Sequence, residues 1–213
     1  MIFISQNSKK IARQGFFEKE EFDAVVLALP KYLKDFMRFA YETGWRKGEI
    51  VSLTWDLVDR SAKEIRLQTS INGTGRCLPL AGELLDLIER RWSARKFESK
   101  NGEVSISPQV FHREGGAVGE YRKAWRKACD KAGCPGKLVH DIRRTAVRNM
   151  TRAGVTETVA MSITGHMTAS MFQRYNITNS DDKRKALIAS QQHIKSLLPE
   201  EKVVSIKGAL HKS

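Results

Sequence analysis

Cysteine is scarce in this chain of 213 residues, and what there is does not pair. Cys77, Cys129 and Cys134 are odd in number and form no C-x-x-C motif, which excludes a disulfide framework and a paired-thiol zinc site and points to a reducing, cytoplasmic setting. Long hydrophobic runs are missing too. The longest aliphatic stretch, Ala24 to Leu29, is far too short to span a bilayer, and the N-terminus carries no signal-peptide pattern, so a soluble protein is expected. Neither an internal repeat nor a low-complexity tract is present. Acidic residues are in deficit: 24 Asp and Glu face 37 Lys and Arg, for a formal charge of +13 and a sequence pI near 9.8. A polyanion is the expected partner, because each phosphate neutralised by Lys or Arg releases condensed counterions. Basicity alone does not separate a nucleic-acid binder from a protein with a solvated basic face, so the motifs decide.

The length fits one large domain or two small ones, burying about 70% of the unfolded surface. Residues 1–16 carry Lys9, Lys10 and Arg13 without a sustained apolar period and read as an N-terminal arm. Residues 17–180 make the main body, and 181–213 an amphipathic helix with a polar tail. Periodicity predicts helices over Phe17 to Leu29, stopped by Pro30, over Lys31 to Glu42, and over Lys47 to Leu53. The period then changes. Val58 to Ser70 and Arg76 to Leu80 are strand-like and flank Asn72-Gly73-Thr74-Gly75, the signature of a hairpin. Helical spacing resumes over Ala81 to Phe97, then His140 to Arg152, Thr156 to Ile163, Ser170 to Tyr175 and Asp181 to Leu198, with 98–107 as a surface loop. Between them Val118, Tyr121, Trp125, Cys129 and Ala132 form one apolar stripe, leaving Arg122, Lys123, Arg126 and Lys127 off it as an outward basic face. The fold class expected is α+β, mainly helical, with a small antiparallel β-sheet.

Five polar residues carry the chemistry: Arg46 in TGWRKGE, His140 and Arg143 in HDIRR, then His166 and Tyr175 in GHMTASMFQRY. A phosphodiester under attack gains charge on its non-bridging oxygens, which guanidinium forks bind bidentately while staying protonated at any working pH. The tyrosine is the candidate nucleophile. Each piece also has a plain reading. Arg46 and Glu49, three apart, equally suit a surface ion pair. His140 and Arg143 share the first turn of a helix, where an anion is favoured, but a capping histidine and an arginine paired with Asp141 fit as well. Arg144 adds charge for the surface or a DNA backbone. A lone Tyr175 equally suits a core phenol.

Taken together, in this order, these residues resemble the tyrosine recombinase family, the phage integrases and their relatives. The resemblance runs from FFEKEEFDAVVLALP through TGWRKGEIVSLTWDLVD, HDIRRTAVRNMTRAGV and ITGHMTASMFQRY, nearly the whole chain. It implies that residues 17–180 are the catalytic domain, that Arg46 and Arg143 bind the scissile phosphate, and that Tyr175 attacks it to give a 3′-phosphotyrosine and a free 5′-hydroxyl. His140 and His166 would hydrogen-bond the phosphate and assist proton movement, with Glu49 supporting Arg46. A phenol of pKa about 10 needs such neighbours to act near neutrality. The covalent link conserves the phosphodiester's energy, so strand exchange needs neither ATP, metal nor cofactor. The partner implied is double-stranded DNA attachment sites, with a tetramer on DNA, a monomer when isolated, and accessory DNA-bending proteins, in a prokaryotic nucleoid or the host cell of a mobile element.

Two departures qualify that implication. The family places a lysine in the β-hairpin to protonate the leaving 5′-oxygen, and counting back from Leu78-Pro79-Leu80 puts Ile71 there. Isoleucine donates no proton; Arg76 or Lys63 substitutes, the hairpin registers differently, or cleavage is poor. The short arm also cannot supply the family's helical DNA-clamping domain, so an isolated catalytic domain is expected. A DNA-binding regulator that keeps the fold without useful cleavage, and a type IB topoisomerase-like enzyme, are the rival readings. A metal-dependent nuclease needs convergent carboxylates, a pattern that Asp56, Asp59 and Asp181-Asp182 do not form.

Overall fold

The computed structural model describes residues 15–67, 75–99, 101–173 and 180–197. The chain divides into two compact units, Met1–Asn176 and Ile177–Ser213.

The first unit is built on two helices with apolar stripes. Helix α1 (Lys19–Ala28) opens where the Glu18 N–H donates to the Glu21 carboxylate at 3.0 Å, and buries Phe22, Val25 and Val26. Pro30 holds Leu29 extended, with ψ of 151°, and ends the helix. Helix α2 (Lys31–Thr43) carries Leu33, Phe36, Met37 and Ala40 at the i, i+3, i+4, i+7 spacing, all buried. Gly44 closes α2 in the left-handed region at φ 64°. A Cβ there would lie 3.1 Å from Ala146 Cβ and 3.1 Å from Thr164 Cγ2, so glycine serves both the turn and a close helix approach. The short helix α3 (Lys47–Val51) follows at once.

Strands β1 (Val58–Asp59), β2 (Glu64–Leu67) and β3 (Arg76–Pro79) form one antiparallel sheet in the order β1-β2-β3, with Val58 opposite Ile65, Ile65 opposite Leu78 and Leu67 opposite Arg76. The strand expected as one run from Val58 is broken. The Asp59 carboxylate accepts the Ala62 N–H at 2.8 Å and Lys63 turns left-handed at φ 54°, a side-chain-capped turn that the β-rich composition concealed. Helix α4 (Gly82–Ser93) stops short of the predicted Phe97, because Lys96–Glu98 is strand β4, paired with β5 (Val104–Ile106). The expected surface loop is therefore largely a hairpin, too short and polar to show a period. A further small hairpin, β6 (His112–Arg113) with β7 (Gly116–Ala117), turns through Glu114 and Gly115.

Helices α5 (Arg122–Lys131), α6 (Val139–Arg152), α7 (Glu157–Thr164) and α8 (Ala169–Gln173) complete the unit. Helix α2 packs on α6 and α1 on α5, around a core that includes Phe17, Phe36, Phe39, Ile50, Phe111 and Trp125. A smaller cluster of Val147, Ala160 and Phe172 ties α6, α7 and α8. The second unit contains helix α9 (Ser180–Ser196), where Leu187 and Ile194 stand exposed; Leu198, expected on the same face, lies outside the described residues. No helix among the described residues is long and apolar enough to cross a membrane.

Candidate active site

Three chain turns meet at the C-terminal end of α2, and each brings a cation or an imidazole. At the first, Gly44 leads into Trp45 and Arg46. The Trp45 ring is 2% exposed and its indole N–H donates to the Ile163 carbonyl at 2.8 Å, which locks the α2–α3 turn onto α7. Arg46 caps α3: its N–H donates to Glu49 Oε2 at 2.8 Å. Its guanidinium donates to the Gly165 carbonyl at 2.9 Å, stands 3.5 Å from Glu49 Oε1, and remains 43% exposed.

The second turn opens α6. Arg143, 5% exposed, donates from Nη1 to the carbonyls of Gly44 and, at 2.6 Å, Thr164. Both carbonyls belong to helix C-termini, where partial negative charge collects, so the guanidinium ties α2 to α7. His140, one turn earlier on α6, keeps an exposed face, and its pKa is lowered by partial desolvation where the ring lines the cleft and then by Arg144 and Arg143. Asp141 is fully buried and accepts the Leu138 N–H at 2.8 Å, capping α6. Arg144, expected at the surface or on a DNA backbone, is instead half-buried, with Nη1 3.4 Å from Asp141. The buried carboxylate draws it inward.

The third turn follows α7. Gly165, left-handed at φ 70°, delivers His166, which is 5% exposed. The Thr164 hydroxyl donates to the Ala160 carbonyl at 2.8 Å, so its oxygen accepts from His166 Nδ1 at 2.7 Å. That fixes the proton on Nδ1 and leaves the lone pair on Nε2. Burial, then Arg143 and Arg46, push the imidazole down to about 3, so it is neutral at any working pH. The ring meets Phe172 edge-on at 5.6 Å, which fastens α8.

Arg76 completes the group from β3. Its guanidinium is 3.0 Å from Glu49 Oε2 and 4.5 Å from the Trp45 ring centroid. A Cβ on Gly165 would fall 1.4 Å from its Nη1, so that glycine is also a requirement of close packing. Of the substitutes weighed for the hairpin lysine, Arg76 therefore reaches the site and Lys63 does not. Lys63 sits on the β1–β2 turn, at the opposite end of the β2–β3 ladder from Arg76, with its carbonyl bonded to the Leu80 N–H at 2.7 Å.

Arg46, His140, Arg143 and His166 all open onto one cleft of about 560 Å³, walled by Trp45 and Tyr121. Lys47 and Arg122 also line it. Arg122, Lys123, Arg126 and Lys127 are exposed along α5, as the apolar stripe required. Tyr175 and Ile71 lie outside the described residues. Sequence reasoning did not assign Trp45 or Thr164, although the Thr-Gly pairs preceding Trp45 and His166 mark the turns that place them.

The phage integrase family matches residues 15–183 of the chain. The chain is 27% identical over 187 residues to a XerC-like tyrosine recombinase of Caldanaerobacter subterraneus subsp. tengcongensis, covering 73% of this chain and 48% of that one. It is 25% identical over 177 residues to the integrase of Salmonella phage P22, covering 78% of this chain and 44% of that one. The chain thus spans about half the length of these relatives. Its fold is similar to XerA recombinase, with a TM-score of 0.66 at 18% identity, covering 83% of this chain and 63% of that one. It is similar also to the catalytic domain of bacteriophage HP1 integrase, with a TM-score of 0.54 at 19% identity, covering 76% and 87%. With the motifs, the fold and a match over most of its length in agreement, the chain belongs to the phage integrase family.

Proposed function

We propose that this chain is the catalytic domain of a site-specific DNA recombinase that cleaves and rejoins strands through Tyr175. The observation that carries the reading is that Arg46 and Arg143 line one cleft with His140 and His166, while Arg76 and Arg46 share the carboxylate of Glu49 at its edge. A cleft so positive favours an anion, and its planar forks suit a phosphodiester. Tyr175 then attacks phosphorus, the P–O5′ bond breaks, a 3′-phosphotyrosine forms, and the phenolic proton released to solvent is matched by one that the departing 5′-oxygen takes from water. His166 Nε2 accepts a hydrogen bond from the phenol as its proton departs, while Arg46 and Arg143 take the charge that develops on the non-bridging oxygens. Reversal by another 5′-hydroxyl completes strand exchange without ATP.

Of the other tyrosines among the described residues, Tyr41 stacks on Phe22 at 4.0 Å and Tyr32 lies under Arg113, while Tyr121 walls the cleft but has its phenol raised far above its ordinary value by burial. Lambda integrase has been seen as a tetramer on a Holliday junction; by analogy this chain acts as a tetramer on double-stranded DNA. The catalytic domain then runs over 17–180, followed by a C-terminal helix and tail over 181–213.

The test uses a pool of randomised duplexes, each with one nick that lets the cleaved fragment diffuse away. A covalent protein–DNA adduct is expected from the wild-type chain and none from Tyr175→Phe. An adduct that persists in the Phe variant would overturn the assignment. Ile71 favours the second reading, a DNA-binding member with weak or no cleavage: tight duplex binding without any adduct is its outcome.

A further inference from the structure

Glu49 is contested by two guanidiniums, and the geometry divides it unequally. Oε2 accepts the Arg46 N–H at 2.8 Å and stands 3.0 Å from Arg76 Nη2 as an ion pair, whereas the Arg46 guanidinium comes only to 3.5 Å, at Oε1. The two arginines differ in freedom as well. Arg76 is 17% exposed, with Trp45 on one side, Gly165 on the other and its backbone fixed opposite Leu67 in the sheet; Arg46 is 43% exposed and opens onto the cleft. We infer that Arg76 is a positioning residue: by holding Glu49, it leaves the Arg46 guanidinium available to an incoming phosphate.

The alternative arrangement shows why this matters. Without Arg76, the nearest guanidinium left to Glu49 is that of Arg46, and a carboxylate three residues away on the same helical turn can close a fork-on-fork pair with it. An arriving phosphate would then have to displace a carboxylate at short range in a partly desolvated cleft, where Coulomb terms are several-fold stronger than in water. Arg76 also turns away from the proton-donor role, because its guanidinium faces Glu49 and Trp45 and a guanidinium is a poor acid. The inference rests on the proposed function only in naming phosphate as the anion.

Inorganic phosphate is the probe, and the readout is the Arg46 Nε–Hε resonance in ¹H–¹⁵N spectra, assigned by its loss in Arg46→Lys. Thermal melts check that each variant folds. Arg76→Gln is expected to weaken phosphate binding at Arg46 by about tenfold or more, and adding Glu49→Gln to recover most of that loss. Arg76→Lys, which still offers Glu49 a cation, should stay within about threefold of wild type, and Glu49→Gln alone should bind as tightly as wild type or tighter. These last two variants carry the test should Arg76→Gln not fold. Packing loss alone would not be reversed by neutralising Glu49. A folded Arg76→Gln chain that binds within about twofold of wild type, a double variant no better than the single one, or a wild-type chain whose Arg46 ignores phosphate would each overturn the inference. Because binding is measured, the outcome is independent of the covalent-adduct assay.

Discussion

The two arginines proposed to hold the scissile phosphate are unlike in what surrounds them, and their substitutions should be unlike too. Arg143 satisfies the Gly44 and Thr164 carbonyls inside the protein, so Arg143→Ala leaves acceptors buried without a donor. It is expected to cost about 2–4 kcal/mol of stability as well as about 100-fold or more in cleavage. Arg46 is half-exposed, and Arg46→Ala should lower cleavage comparably while changing stability by less than about 1 kcal/mol. Chemical denaturation beside single-turnover cleavage checks the pair; equal stability losses would contradict the assignment. His166 makes a second prediction at this scale. Its folded pKa, about 3, lies below the unfolded value, so below pH about 6.5 the unfolded chain binds more protons and stability falls as pH falls towards 3. The contribution is fully present above the unfolded pKa. Wild-type stability should therefore drop with a slope approaching about 1.4 kcal/mol per pH unit from His166, and His166→Asn should flatten it. Some slope will remain, because His112 and His140 are also held low, chiefly by burial. Denaturant midpoints between pH 4 and 7 decide it.

At the scale of elements, the turns matter more than the helices they join. Gly44→Ala must adopt φ near 64° and meet Ala146 and Thr164 at 3.1 Å, so a loss of about 1–3 kcal/mol is expected in a thermal or urea melt. The β2–β3 hairpin offers a gain instead. Ile71→Lys would supply a proton donor for the 5′-oxygen and is expected to speed cleavage of a nicked substrate by about fivefold or more, and an unchanged rate would count against that placement. The helices were largely legible in the sequence, since their apolar stripes are long enough to show a period, and so were the Arg46 and His166 turns, marked by Thr-Gly. Short pieces were not. β4 and β5 are three residues each, with Val104 and Ile106 exposed, so no alternation could build up. The turn capped by Asp59 breaks a run whose composition reads as continuous strand. The site residues stood out as motifs, yet the partners of Arg143 are backbone carbonyls from sequence-distant turns, which no side-chain pattern announces.

For the molecule as a whole, part of the excess positive charge lies beside the cleft. Arg122, Lys123, Arg126 and Lys127 are exposed on α5, and Arg122 reaches the cleft that holds the proposed phosphate ligands. Neutralising all four to Gln should weaken duplex binding and reduce the slope of log Kd against log salt by about 2–4, at about 0.9 for each phosphate no longer neutralised. Fluorescence anisotropy at several salt concentrations measures it, and an unchanged slope would place the DNA elsewhere.

The clasp of Arg143 on two helix ends carries a consequence for how such a protein can decay. A lineage that gave up cutting DNA would be free to lose its nucleophile or its imidazoles, but discarding this arginine would loosen the junction of α2 and α7 that shapes the domain. Retired relatives should accordingly keep the arginine at this position long after the other motif residues have drifted. Its retention in a sequence is a mark of an intact scaffold, and it is the remaining residues that testify to a working enzyme.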